Sequence, residues 1–198
     1  MTPPDYYYER QIWGIGRFPA GVDEAGRGPL AGPVVAAAVI LPKECMIPSL
    51  NDSKKLPQHM REFLFEQIKT LAVSIGVGIV EPEEIDRINI LRAALLAMEI
   101  AVKNLNPQPD CLLIDGNTAT SLLIPQETVI KGDFICYSIA AASIIAKVTR
   151  DSIMHDYHNI YPQYNFNIHK GYPTKGHLDA IRIYGPCPIH RKTFRGVL

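Results

Sequence analysis

The chain lacks an excess of charge of either sign. Its 198 residues include 20 Lys and Arg and 20 Asp and Glu, so the formal net charge is +0. A neutral chain creates no overall field that would draw it onto a polyanion, so nucleic-acid binding would have to depend on local patches. Metal-free phosphate binding relies on cationic groups. The composition therefore argues against a non-enzymatic nucleic-acid-binding module.

Cysteine and long apolar runs are also scarce. Cys45, Cys111, Cys136 and Cys187 lie far apart and form no Cys-x-x-Cys pair of the kind that binds zinc. No uninterrupted apolar stretch is long enough to span a bilayer, and the first residues lack the basic region and apolar run of a secretion signal. We therefore expect a soluble, cytoplasmic protein with reduced cysteines and no membrane partner. Because no segment signals a subunit interface, we expect a monomer.

What the chain does have is enough apolar residues, 47%, to build one sizeable core. Apolar periodicity predicts strands and helices that alternate along most of the chain. This order predicts an α/β fold with one mixed sheet flanked by helices. We expect a single domain over residues 1–198, with its core at about 18–160 and a C-terminal segment at about 161–198. The predicted strands are 18–22, 33–41, 73–80, 111–115 and 128–130; the predicted helices are 8–13, 57–71, a region from 82, 91–105, 138–158 and 174–184.

Acidic residues follow three of the predicted strands. Asp23 and Glu24 come after an apolar approach and before a Gly-Arg-Gly turn, and Asp115 and Asp133 lie at or just beyond two later strands. Neighbouring side chains on a strand point to opposite faces, so Asp23 and Glu24 can share one site only if the strand ends or bulges there. Functional groups of such sheets collect where strands end. We therefore expect the four carboxylates to converge.

Four converging carboxylates indicate a particular chemistry. At a surface-like dielectric each close pair of like charges costs roughly 4 kcal/mol, so a cation or protonation must neutralise part of the cluster. Oxygen ligands without His or Cys favour Mg²⁺ or Mn²⁺, bound together with substrate phosphate. Two such ions about 4 Å apart can activate water and stabilise the leaving oxygen of a phosphoryl displacement.

Seven segments of the chain resemble the motifs of the ribonuclease HII family, in order and at compatible spacings. The similarity covers nearly the whole chain. The segments are Gly-Val-Asp-Glu-Ala-Gly-Arg-Gly-Pro-Leu-Ala-Gly-Pro-Val at 21–34, Asp-Ser-Lys-Lys-Leu at 52–56, Glu-Ile-Asp-Arg-Ile-Asn-Ile-Leu at 84–91, Leu-Ile-Asp-Gly-Asn at 113–117, Gly-Asp at 132–133, the alanine-rich helix at 139–151, and His-Lys-Gly-Tyr-Pro-Thr-Lys at 169–175.

The resemblance implies a ribonuclease H-like fold with a small C-terminal helical extension. It also implies hydrolysis of RNA in RNA–DNA hybrids and cleavage 5′ to single ribonucleotides embedded in duplex DNA. By this resemblance Asp23, Glu24, Asp115 and Asp133 are the catalytic acids and hold two Mn²⁺ or Mg²⁺ ions, and the products carry a 3′-hydroxyl and a 5′-phosphate. The C-terminal segment would contact the substrate.

The resemblance further assigns recognition of the ribose 2′-hydroxyl to Gly26, Arg27 and Gly28, acting largely through their backbone, and to Tyr172. The 2′-hydroxyl is the group that distinguishes RNA from DNA at one nucleotide. Glycines let the main chain approach it closely. A structure-specific DNA nuclease or strand transferase of the same broad fold is the alternative, because it could share the acids without needing this sensor.

Two groups of polar side chains each allow two interpretations. Lys54 and Lys55 either contact phosphate or form a solvated surface. Ser143, Lys147 and Arg150 share one side of the long helix, where they contact the nucleic-acid backbone or hold Asp151 and nearby loops in structural ion pairs.

Two terminal segments also leave alternatives open. Residues 190–195 either touch the duplex or pack Phe194 on the core, and the tyrosines at 6–8 either stack on bases or dock the N-terminus. Phe134 departs from the basic or small polar residue that many relatives carry after the last aspartate, so a phosphate contact from that loop is not expected. We expect neither a sliding-clamp peptide at the C-terminus nor, before residue 18, the extra domain of ribonuclease HIII.

Overall fold

A computed structural model describes residues 3–51, 53 and 55–198. Within this part of the chain the strands are β1 (Pro19–Ala25), β2 (Val34–Ile40), β3 (Ser74–Val80), β4 (Cys111–Asp115) and β5 (Gln126–Val129). The helices are α1 (Tyr7–Gly14), α2 (Gln58–Leu71), α3 (Pro82–Ile88), α4 (Ile90–Lys103), α5 (Gly132–Ile135), α6 (Tyr137–Ile160), α7 (Phe166–His169) and α8 (Lys175–Tyr184), and Pro162–Tyr164 form a 3₁₀ turn.

The strands form one mixed sheet in the order β3-β2-β1-β4-β5. Strands β1, β2 and β3 are antiparallel neighbours, whereas β4 runs parallel to β1 and β5 runs parallel to β4. Because β1 and β4 are parallel, their carboxyl ends lie at the same edge of the sheet. Their pairing runs up to Val22 and Ile114, one residue before Asp23 and Asp115. The predicted fold class is confirmed, and the topology brings two of the four acids together.

Helices α4 and α6 cover the two faces of this sheet. Val22 and Ala36 belong to the cluster that packs on α4, while Ala37 belongs to the cluster that packs on α6. Every residue of β2 is buried, which explains why its sequence is continuously apolar rather than alternating. Its three consecutive alanines allow both helices to lie close to the sheet.

The predicted helix boundaries hold with small shifts. The region after Pro82 divides into α3 and α4 at Asn89, whose side-chain oxygen accepts hydrogen bonds from the N–H groups of Leu91 and Arg92 and so caps α4. Asp133 lies in the short helix α5 rather than in an open loop. In the part of the chain described, no helix is long and apolar enough to cross a membrane.

The N-terminus docks on the domain, which confirms one of the two readings of the tyrosine run. Tyr6 is buried, and its ring centroid lies 4.4 Å from that of Tyr137. Glu9 is buried as well, and its Oε1 accepts a 2.7 Å hydrogen bond from the N–H of Ser138 in the first turn of α6. A carboxylate at this position satisfies an N–H group that has no partner within the helix.

The C-terminal segment forms its own apolar cluster against α6. Its members include Tyr164, Phe166 and Ile181, which pack with Met154 of the long helix. Phe194 packs against this cluster and also against the cluster under α4, so the packing alternative for residue 194 is confirmed. The division of the chain into a core and a substrate-contacting segment stays a prediction.

Helix α4 approaches β3 so closely that only glycine fits on the facing side of the strand. A Cβ atom on Gly76 would lie 2.0 Å from the carbonyl oxygen of Ala101, and one on Gly78 would lie 2.0 Å from the carbonyl oxygen of Ala97. Both obstacles are helix backbone, which cannot move aside without shifting the whole helix.

We therefore expect Gly78→Ala to lower the free energy of unfolding by about 1–3 kcal/mol, as overpacking of a core does. Urea denaturation followed by circular dichroism measures this loss. Gly176→Ala is the control, because Gly176 lies in α8 with no atom within 4 Å of the added methyl group, and an exposed helical Gly→Ala change gains up to about 1 kcal/mol. Equal effects of the two substitutions would contradict the packing argument.

Candidate active site

A cleft lies at the sheet edge where β1 and β4 end. It brings together residues that the sequence separates by up to about 150 positions. The residues that line it are Asp23, Glu24, Ala25, Gly26, Arg27, Gly28, Ser53, Asp115, Ser143, Lys147, Arg150 and Tyr172. Most of the predicted site residues therefore meet at one place.

Strand β1 reaches this cleft differently from the prediction. The strand neither ends nor bulges at the acid pair, because Asp23 pairs with Ala37 and Glu24 with Ala36 in an unbroken register. The two side chains consequently point to opposite faces. They share a cleft because β1 continues past Val22, the last residue that pairs with β4. Beyond Val22 the β4 side of β1 is uncovered, so side chains from both faces of β1 can reach the cleft. The prediction of a strand end or bulge was wrong, although both acids do line the site.

The third and fourth acids are held to each other. Oδ1 of Asp115 accepts hydrogen bonds from the N–H groups of Gly132, at 2.7 Å, and Asp133, at 3.4 Å. A Cβ atom on Gly132 would lie 2.5 Å from Cδ1 of Ile139 and 3.3 Å from Oδ1 of Asp115, so a larger residue there would have to displace the end of the Ile139 side chain. The aspartate at the end of β4 thus fixes the start of α5 and with it the position of Asp133.

Electrostatics mark Asp23 as the centre of the acidic cluster. Its side chain is buried, with 4% of the residue exposed. Burial raises the pKa of Asp23 well above its usual range, and the charges of Glu24, Asp115 and Asp133 raise it further, against one opposing hydrogen bond from the N–H of Glu24 at 2.7 Å. The other three predicted acids are therefore close enough to act on Asp23, and their like charges disfavour its ionised form.

This donor set fits a hard divalent cation, because it consists of carboxylate oxygens that a positive charge would stabilise. Among the described residues, no three His, Cys, Asp or Glu side chains already converge closely enough to form a metal site.

The residues from Gly26 to Pro33, which we call the glycine loop, form one wall of the cleft. Gly26 has a φ angle of +100°, and a Cβ atom there would lie 2.1 Å from Nε of Arg150. Only glycine satisfies both constraints. Across the cleft, Tyr172 is 42% exposed, and its Cε1 lies 3.6 Å from the position that a Cβ atom on Gly28 would take. The loop and the tyrosine ring therefore border the same part of the cleft.

Two cationic side chains lie near the acids. Nη1 of Arg27 is 3.4 Å from Oε1 of Glu24, in a pair whose arginine is half exposed. Nζ of Lys55 lies 4.2 Å from the ring centroid of Phe134, next to Asp133. Phe134 thus provides an aromatic surface for a lysine from another segment. Lys54 lies outside the described residues.

Two of the three polar residues on one side of α6, Lys147 and Arg150, contact other parts of the protein. Lys147 Nζ forms a 2.7 Å ion pair with Asp151 Oδ1, and burial lowers the pKa of Lys147. Arg150 is fully buried and donates to the carbonyl oxygens of three loop residues, Pro33, Ala31 and Lys170, at 2.9–3.0 Å. The expectation that Arg150 contacts substrate is therefore corrected, because its donors are used inside the protein. Ser143 shares a 2.8 Å hydrogen bond with Ser53 at the cleft.

Arg191 was not among the predicted site residues. Residues 190–195 were expected either to touch the duplex or to pack Phe194 on the core, yet Arg191 is fully buried behind the glycine loop. Burial lowers the pKa of Arg191 to about 9, with the nearby charge of Arg150 as the next cause. Nothing in a run of basic residues distinguishes a buried arginine from its exposed neighbours, so only the fold reveals it.

Comparison with known proteins agrees with this architecture. The family model described as ribonuclease HII matches residues 20–197. The chain is 56% identical over 189 residues to the ribonuclease HII of Caldanaerobacter subterraneus subsp. tengcongensis, which covers 95% of this chain and 78% of that protein.

Solved structures of related ribonucleases share this fold at lower sequence identity. The crystal structure of ribonuclease H2 from Pyrococcus horikoshii OT3 superposes with a TM-score of 0.76 at 27% identity, covering 91% of this chain and 95% of that one. The fold is also shared with Bst-RNase HIII in complex with Mn²⁺, at a TM-score of 0.69 and 18% identity over 91% of this chain and 68% of that one. The chain therefore belongs to the ribonuclease HII family and is a type II ribonuclease H, an endonuclease that acts on RNA–DNA hybrids.

Proposed function

We propose that this endonuclease cuts 5′ to ribonucleotides, both in RNA–DNA hybrids and where single ribonucleotides are embedded in duplex DNA, and that Asp23, Glu24, Asp115 and Asp133 hold two Mg²⁺ or Mn²⁺ ions. The observation that carries the metal assignment is the buried carboxylate of Asp23, whose ionised form three other carboxylates disfavour. A bound cation would instead stabilise the ionised form of Asp23.

Two of the four acids are already oriented to hold such ions. The N–H of Glu24 fixes the carboxylate of Asp23, and the N–H of Gly132 fixes that of Asp115, so two ligands are oriented in advance. When bound, the ions supply an activated water and stabilise the leaving 3′-oxygen, which leaves a 3′-hydroxyl and a 5′-phosphate. Mn²⁺ in the related Bst-RNase HIII structure supports an ion of this class.

Recognition of the ribose is assigned to the glycine loop and Tyr172. The ring of Tyr172 is 42% exposed, and its Cε1 lies 3.6 Å from the position that a Cβ atom on Gly28 would take, so the ring and the loop border the same part of the cleft. A sugar bound beside both would meet backbone N–H donors of the loop and an aromatic ring. This arrangement would detect a 2′-hydroxyl because a deoxyribose leaves those donors without a partner.

Phosphate contact is assigned to a local patch of cations around the cleft. One contact of Arg27 is an ion pair with Glu24, and one contact of Lys55 is with the ring of Phe134; each such contact contributes at most about 1 kcal/mol at an exposed position. Lys147 belongs to the proposed set because it lines the cleft, although its ammonium also pairs with Asp151. Lys54 is included on the family resemblance alone. Such a patch would allow a protein of zero net charge to bind a duplex. A monomeric, cytoplasmic protein without a sliding-clamp peptide remains our prediction.

The metal assignment predicts that Asp23→Asn abolishes turnover and at the same time stabilises the metal-free protein. The raised pKa of Asp23 means that the folded state binds its proton more tightly than the unfolded state does. The free energy of unfolding of the wild type therefore falls as the pH rises from the ordinary aspartate range towards the raised pKa. Asn carries no charge and avoids this loss, so in EDTA the variant is the more stable protein at pH 7.5.

Urea denaturation in EDTA at several pH values measures the difference between the two proteins. The difference in the free energy of unfolding should disappear below about pH 4, where Asp23 is protonated in both the folded and the unfolded state. Asp156→Asn is the matched control, since Asp156 is exposed on α6 and should show no such difference. A variant at position 23 that is no more stable than the wild type at pH 7.5 contradicts the electrostatic account.

Recognition of the 2′-hydroxyl predicts that a DNA duplex with one ribonucleotide is cut and its all-DNA twin is not. In the same assay Tyr172→Phe should slow cleavage about fivefold, the equivalent of one hydrogen bond of ~1 kcal/mol. Denaturing gels with end-labelled strands give both the rate and the cut position. Tyr184→Phe, at an exposed tyrosine of α8, is the control. Equal cutting of the all-DNA twin would support a DNA nuclease instead.

A further inference from the structure

The C-terminal segment from Cys187 to Arg191 is built directly onto the glycine loop. The N–H of Gly32 donates to the carbonyl oxygen of Ile189 at 2.9 Å, and the N–H of Arg191 donates to that of Leu30 at 2.8 Å. An antiparallel bridge between Ala31 and His190 lies between these two bonds. The end of the chain therefore supports the loop from behind.

The side chain of Arg191 continues this support through a ring of backbone oxygens. Its guanidinium is fully buried, and each of its three nitrogens donates to the loop. The acceptors are the carbonyl oxygens of Gly32, at 3.0 Å from Nε and 2.8 Å from Nη2; Arg27 and Pro29, at 3.2 and 2.8 Å from Nη1; and Gly26 and Pro33, at 2.6 and 3.2 Å from Nη2.

This ring decides which way the peptide groups of the loop face. In a trans peptide the carbonyl and the following N–H point in opposite directions. Because the oxygens of Gly26 and Arg27 point to the guanidinium of Arg191, the N–H groups of Arg27 and Gly28 point away from it. Those two N–H groups belong to the stretch of loop that lines the cleft.

The opposite wall of the cleft is tied to the same segment through two buried histidines. Nδ1 of His177 lies 2.9 Å from the carbonyl oxygen of Tyr172 and must donate to it. Nε2 of His177 then accepts from Nε2 of His190 at 3.0 Å, and Nδ1 of His190 accepts from the N–H of Cys187 at 2.9 Å. One choice of tautomers satisfies the whole series. Burial lowers the pKa of both rings to about 4, so both are neutral at neutral pH, as the series requires.

We propose that Arg191 is a positioning residue for ribonucleotide recognition, which holds the N–H donors of the glycine loop towards the substrate sugar and sets their distance from Tyr172. The inference rests on the proposed function, because it assigns a role in recognising the 2′-hydroxyl. Arg191 acts through the backbone of Gly26 and Arg27 and does not itself reach the substrate.

Lysine cannot replace arginine in this role. Its ammonium group keeps the charge but has three donors on one atom, whereas the planar guanidinium serves five carbonyl oxygens in fixed directions. In Arg191→Lys the loop loses several of these contacts, and its N–H groups are no longer held in one orientation. A misplacement of about 1 Å at a recognition site can cost on the order of 100-fold.

The test is the ratio of two dissociation constants, measured by fluorescence anisotropy in Ca²⁺ buffer for a duplex with one ribonucleotide and for its all-DNA twin, with the strands verified intact afterwards. We expect Arg191→Lys to lower the preference for the ribonucleotide duplex about tenfold or more, while its affinity for the all-DNA duplex stays unchanged. A variant that is only partly folded binds less of both duplexes and leaves the ratio as it was.

Arg195→Lys is the matched control, because Arg195 lies four residues away and is exposed; its ratio should equal that of the wild type. If Arg191→Lys does not fold, Asp86→Ala decides the question. Asp86 accepts hydrogen bonds from the N–H groups of Lys192 and Thr193 at 2.8 and 3.0 Å, so its loss releases the segment just after Arg191 and should lower the same ratio.

The outcomes separate this inference from the proposed function. A wild type that binds both duplexes equally contradicts recognition of the 2′-hydroxyl altogether. A wild type that prefers the ribonucleotide, together with variants at positions 191 and 86 that keep the full preference, overturns the role of Arg191 and leaves the proposed function in place.

Discussion

Repulsion among four carboxylates is the constraint on which the active site depends. A fold gains nothing in stability from placing Asp23 in a buried position beside three other acids, so the surrounding structure must hold it there. Two features do so. The parallel pairing of β1 with β4 sets Asp23 and Asp115 at one sheet edge, and the bond from Gly132 to Asp115 ties the start of α5 to the same place. The acids are thus brought together by strand pairing and by a backbone hydrogen bond to the Asp115 carboxylate, not by any attraction among themselves.

On the other side of the cleft, two buried arginines donate hydrogen bonds to the carbonyl oxygens of the glycine loop. A loop that lies close to substrate cannot use its own secondary structure to satisfy its carbonyl oxygens. Arg150 and Arg191 take up those oxygens from within the protein, one from the long helix and one from the C-terminal segment. Charged donors make the stronger kind of hydrogen bond, so the glycine loop is held at many points although it contains little regular structure.

The sequence was sufficient for the parts of the structure that follow from local patterns. The apolar run of β2, the periodicity of α4 and the strand before Asp115 led to the correct elements, and the ordered motifs led to the correct family. The short helix α5 around Asp133 was not predicted. The sequence could not show that β1 passes straight through Asp23 and Glu24, because that depends on where β4 stops pairing. It also could not separate Arg150 and Arg191 from surface cations, since burial of a long basic side chain is a property of the tertiary fold. The roles of the individual site residues remain proposals for the same reason.

The most direct test of the central claim is the anomalous scattering of Mn²⁺ in crystals of the protein soaked with that ion. The account predicts difference peaks in the cleft between β1 and β4, with carboxylate oxygens of Asp23, Glu24, Asp115 and Asp133 as the protein ligands. Peaks located only at other sites, or a cleft without any peak at saturating Mn²⁺, would contradict it.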